Sequence, residues 1–139
     1  MKHIIGLVAG SLIAISAQAQ AQPQMYFTVN SSDVMVQGAA MVLATQSVKQ
    51  KASVRVLLCG QAADMALKDH EMQSLKPMNA TPQQMLQGLV KNGATVEVCA
   101  LYLPNKGLQP DALIQGVKPG KPADVASYML KSDVKMLAF

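Results

Sequence analysis

The sequence predicts a single α/β domain, three-layered as α/β/α and flavodoxin-like in outline, with about five mainly parallel strands. Three observations lead there. Beyond residue 21, apolar runs of strand length alternate with stretches whose apolar residues recur at helical spacing. The run Val54-Arg55-Val56-Leu57-Leu58-Cys59 is β-branched and apolar almost throughout, as in a strand buried on both faces. Finally, 139 residues, 50% hydrophobic and 14% charged, suffice for one core and leave no room for two.

Residues 1–21 read as a targeting segment. Met1-Lys2-His3 is a basic start, Ile4 to Ile15 an apolar run, and Ser16 to Ala21 a small, polar stretch with two overlapping Ala-x-Ala sites; together these are the three parts of a secretory signal peptide. An apolar run of about 12 residues falls short of the roughly 20 that a spanning helix needs. The expectation is a cleaved signal, a periplasmic protein and no membrane attachment after cleavage. The mature domain is then 22–139.

The first strand is read at Met25–Val29. Ser31-Ser32-Asp33 offers capping oxygens to a first helix that carries Val34, Gly38, Met41, Val42 and Thr45 at helical spacing and runs to about Lys49. Lys51-Ala52-Ser53 turns the chain into the second strand, Val54–Cys59. A short helix over Gln61–Lys68 and a polar loop over Asp69–Ala80 follow. Thr81-Pro82-Gln83-Gln84 signals a helix start three times over: Thr caps, Pro takes the first helical position, and Gln84 completes a capping box. Met85, Leu86, Leu89 and Val90 supply the buried stripe of that helix, and Asn92-Gly93 its stop. The third strand is Ala94–Ala100. The Pro- and Gly-rich stretch 104–122 has room for one turn at Asp111–Gln115 and a short strand around Gly116-Val117. A last helix over Ala123–Lys131 leads to a terminal strand, Val134–Phe139.

Composition narrows the chemistry. Twelve basic against eight acidic side chains give a net charge of +4, but the positive charges are scattered and form no stripe that would track phosphates. Aromatics at 4%, with no Trp, provide no stacking platform for single strands. No nucleic-acid partner is expected. One mature histidine and scattered acids make no Ser–His–Asp set, and 116–122 lacks the order of a phosphate loop. Neither a cofactor nor a metal is expected: Met65, His70, Met72 and Met78 offer soft ligands, but at irregular spacing.

In open α/β sheets the functional crevice lies at the carboxyl ends of the strands. Cys59 closes the second strand and Cys99 the third, so both cysteines point to that edge. Three fates compete for them: a Cys59–Cys99 disulfide, natural in an exported chain and open only to neighbouring strands; inert buried thiols; or a reactive thiolate at Cys99, helped by the following loop or by Lys106 folding back. Asp64 reads better as a first-turn or capping carboxylate than as a crevice residue.

The segment Gly93-Ala94-Thr95-Val96-Glu97-Val98-Cys99-Ala100-Leu101-Tyr102-Leu103-Pro104 resembles the strand-to-loop region of the DsrE/DsrF-like family, where a Gly turn precedes an apolar strand ending in cysteine. Val54–Cys59 with Gly60-Gln61-Ala62-Ala63-Asp64, and the closing Val134–Phe139, are similar to the family's second strand and C-terminus. The resemblance implies a sulfur relay in which Cys99 takes up sulfane sulfur as a persulfide and hands it to a partner thiol, with Cys59 as a second, resolving or neighbouring thiol. It also implies sulfur donors and acceptors, proteins or small thiols, as partners, and a homo-oligomer. The alternative is a non-catalytic binding or assembly module with structural cysteines.

Overall fold

Alternation in the strands sets the sheet. In the computed structural model, which describes residues 22–139, the strands are β1 (Gln24–Val29), β2 (Ser53–Leu58), β3 (Thr95–Val98), β4 (Val117–Pro119) and β5 (Val134–Ala138). The expected signal peptide lies outside the described residues. All five strands run parallel in the order β4-β3-β2-β1-β5. Phe27, Val29, Val54, Val56, Leu58, Val96 and Val98 point to one face and form the main core.

The helices are α1 (Val34–Lys49), α2 (Pro82–Lys91), α3 (Tyr102–Lys106) and α4 (Pro122–Met129). Right-handed crossovers fix their sides. The chain steps from β1 to β4 in one direction, so α1, α2 and α3 lie on the core face. It then jumps back across the sheet to β5, which puts α4 on the opposite face and completes three layers. There Tyr128 of α4 packs edge-on against Tyr26 at 5.5 Å, and the Arg55 guanidinium lies 4.9 Å from the Tyr128 ring. Glu97 accepts from Arg55 Nε at 2.8 Å, so this nearly buried carboxylate keeps its countercharge.

Local chemistry sets the helix starts. Asp33 caps α1 by accepting from the Met35 and Val36 amides, and Thr81 and Gln84 close the capping box of α2. The buried stripe of α1 is Gln37, Gly38, Ala40, Met41 and Ala44 rather than one through Val34, Val42 and Thr45. A helix apolar all round carries no clear phase, and Met35 and Leu43 remain exposed.

Several boundaries move. The short helix after β2 is a 3₁₀ segment, Gly60–Ala66, starting from a Gly60 with φ 54°. The turn after residue 104 is likewise 3₁₀, Pro110–Ala112. β2 and β3 stop one residue before each cysteine, and α3 begins three residues after Cys99, ahead of the Pro- and Gly-rich stretch. Pro104 sits inside the first turn of α3, where its missing N–H costs nothing.

Candidate functional site

β2 and β3 are hydrogen-bonded neighbours, with Leu58 opposite Val98. The next residue of each strand is a cysteine. Cys59 donates its amide to the Val29 carbonyl at 2.9 Å and Cys99 to the Leu58 carbonyl at 2.8 Å, so both remain tied to the sheet edge after the regular ladder ends. Neighbouring parallel strands are about 4.8 Å apart, inside the Cα range for a disulfide. The adjacency condition set by the sequence is therefore met, and both thiols are free and half-buried.

The two sulfurs interact. Burial first, and then the neighbouring Cys99 side chain, push Cys59 up to about 12. Cys59 thus keeps its proton at neutral pH. Their surroundings differ: Cys99 lines an open cavity of about 410 Å³ together with Gly60, Gln61, Leu101, Tyr102, Asn105 and Lys106, and Cys59 does not. Leu101 on its rim is 71% exposed.

A polar brace closes one wall. Tyr102 donates its hydroxyl to Asp64 Oδ1 at 2.5 Å, and the Lys106 ammonium sits 3.0 Å from the same oxygen and 5.7 Å from the Tyr102 ring centre. Burial pushes the Asp64 carboxyl up. The hydrogen bonds from Tyr102 and Lys106 and the charges of Lys106 and His70 outweigh it and hold the group below its ordinary value. Burial and the Asp64 carboxylate push the Tyr102 phenol well up. Lys106 does fold back to the Cys99 cavity, as the sequence allowed. Asp64, however, is no cap: the first residue before the 3₁₀ segment makes no side-chain cap, and Asp64 binds across the crevice instead.

Sequence reasoning missed Tyr102. Its signal was present: a helix begun just after Cys99 would put Tyr102 and Lys106, four apart, on one face. His70 lies apart from the thiols, beside a second cavity of about 330 Å³ lined also by Gln37, Asp64, Glu71 and Met72. Met72 shares that cavity wall with His70, while Met65 is fully buried and Met78 lines a different cavity. The larger cleft, about 510 Å³, is at the opposite end of the strands near Lys49, Lys51 and Asn92, and no cysteine lines it.

The site is therefore a pair of thiols at the carboxyl edge of a parallel sheet, one facing a cavity and one behind it. The same fold occurs in the YchN protein of E. coli, with a TM-score of 0.65 and 22% identity over 86% of this chain and 100% of that one. It also occurs in MTH1491 of Methanobacterium thermoautotrophicum, a protein of unknown function, with a TM-score of 0.60 and 11% identity over 84% of this chain and 98% of that one. No family model and no curated protein matches the sequence. These likenesses establish the fold.

Proposed function

We propose that this chain is a DsrE/DsrF-like sulfur carrier of the periplasm, holding sulfane sulfur as a persulfide on Cys99. One observation carries the reading: of two adjacent thiols at the functional edge, Cys99 alone lines a cavity open to solvent. A carrier thiol must meet its donor and acceptor, and a strand end held by the sheet presents it without a flexible loop. Lys106 places a cation on the same wall, where an anionic donor such as polysulfide or thiosulfonate would approach. Exposed Leu101 beside the thiol is suited to contact with a partner protein.

The test is intact mass after exposure of the reduced protein to inorganic polysulfide. Uptake of about 32 Da, removed by reductant and located on the Cys99 peptide, is expected. Cys99→Ala should abolish it, and equal uptake in that variant overturns the assignment.

The adjacency of the thiols favours a second reading, a binding module stapled by a Cys59–Cys99 disulfide. Closing a loop of roughly 40 residues would then add about 4 kcal/mol, and mild reduction would lower thermal stability accordingly.

A further inference from the structure

We infer that Cys59 is the resolving thiol of Cys99: whatever sulfur-bonded group Cys99 acquires from the cavity, Cys59 displaces from behind, leaving a reversible Cys59–Cys99 disulfide. For the persulfide the inference rests on the carrier reading above. The geometry is asymmetric in the sense that such a pair requires. Cys99 lines the cavity and meets the incoming reagent, while Cys59 follows Leu58 as Cys99 follows its register partner Val98, so the two lie side by side on neighbouring strands and Cys59 is not part of the cavity wall. Cys99 donates its amide to the carbonyl of Leu58, the residue before Cys59, which ties the two strand ends together, and neighbouring parallel strands lie about 4.8 Å apart, a separation a disulfide accepts.

The step balances without a further reagent. Cys59 loses its proton, its sulfur bonds to the inner Cys99 sulfur, the bond from that sulfur to the outer one breaks, and the outer sulfur departs with the proton as hydrosulfide. The sulfane sulfur is reduced to sulfide and the two thiols are oxidised to one disulfide. Return to the dithiol takes an external dithiol reductant, by two exchanges. With a mixed disulfide in place of the persulfide, the leaving group is the small thiol.

Protonation governs the rate. Burial is the largest reason Cys59 holds its proton, and burial persists when Cys99 is capped. Only a small thiolate fraction is present at neutral pH, so a loaded Cys99 survives long enough to meet an acceptor, and unclaimed sulfur is shed as sulfide. Discharge should quicken up to about tenfold per pH unit between pH 7 and 9, following that fraction.

The experiment uses the reduced, full-sequence protein and its Cys59→Ser variant, treated in parallel with 5,5′-dithiobis(2-nitrobenzoate) and with inorganic polysulfide. With the aromatic disulfide, the wild type should release two aromatic thiolates per chain and end about 2 Da below its reduced mass. Cys59→Ser should release one and keep a single adduct on Cys99. Wild-type protein ending with two adducts, or with one lasting adduct, overturns the inference, and this arm decides even if the variant fails to fold. With polysulfide, the wild type should pass from the loaded mass to the disulfide with one hydrosulfide released, while Cys59→Ser stays loaded. Disulfide formation with the aromatic reagent but no sulfur loading in either protein sinks the carrier and keeps the resolving pair. Loading that persists equally in both proteins sinks the resolving pair and keeps the carrier.

Discussion

Asp64 joins the segment after β2 to the helix after β3, and it does so with one oxygen that serves both Tyr102 and Lys106. Its carboxyl is held below the ordinary aspartate value of 3.8, so the native state binds this proton less readily than the unfolded chain. The contribution is then fully present above pH 3.8 and is lost as pH falls through the lower folded value. Asp64→Asn keeps the shape and an acceptor but removes the charge. It should cost about 1 kcal/mol at neutral pH, most of it because the Tyr102 hydrogen bond loses its charged acceptor, since Lys106 is half-exposed and its ion pair is screened. Denaturant unfolding of both proteins at pH 7 and at about pH 3 checks it: the gap between wild type and variant should narrow in acid. A gap that stays constant would mean that the Asp64 charge is not its source.

At the scale of elements, α2 stands on a start signal that is entirely local. The Thr81 hydroxyl accepts from the Gln84 amide at 3.1 Å while the Gln84 side chain accepts from the Thr81 amide at 2.9 Å. Thr81→Ala should therefore cost about 1 kcal/mol in equilibrium unfolding, and a loss below a few tenths would contradict the capping account. Signals of this kind made β1, β2, α1 and α2 readable to within a residue or two, because caps, glycine stops and strand alternation act over a few positions. Legibility failed where the reason lay elsewhere in the chain. Gly38 looks like a mid-helix weakness, yet it is the notch that receives buried Leu75 from the loop before α2, which a side chain at 38 would meet. α3 hides behind Pro104, and Asp64 reads as a cap because its partners Tyr102 and Lys106 are some 40 residues away. Cys59 and Cys99 were legible as strand ends; their mutual contact depended on β2 and β3 being neighbours, which no local pattern encodes.

For the whole molecule, the reversal of direction between β4 and β5 leaves the two faces of the sheet unequally covered. The face under α1 and α2 carries the core, while among the described residues the other is covered by α4 alone, and no residue of α4 is fully buried. Tyr26 lies beneath it with a buried hydroxyl that has no partner among the described residues, and burial lifts its phenol to about 12. Around that helix Leu130 is 86% exposed, Met136 46% and Met129 39%, and Met136 stands in register with Tyr26 on the neighbouring strand. Large side chains at such exposure around a thinly covered sheet make this face the one on which we propose that a second copy docks. Replacing Leu130 and Met136 by Glu together should lower the solution mass measured by light scattering while leaving the circular dichroism spectrum unchanged, because neither side chain belongs to the core. A wild type that is already monomeric at micromolar concentration would remove the second copy from this face. A variant that keeps the wild-type oligomeric mass would move the contact to another surface, with exposed Met35 and Leu43 on α1 the next to change.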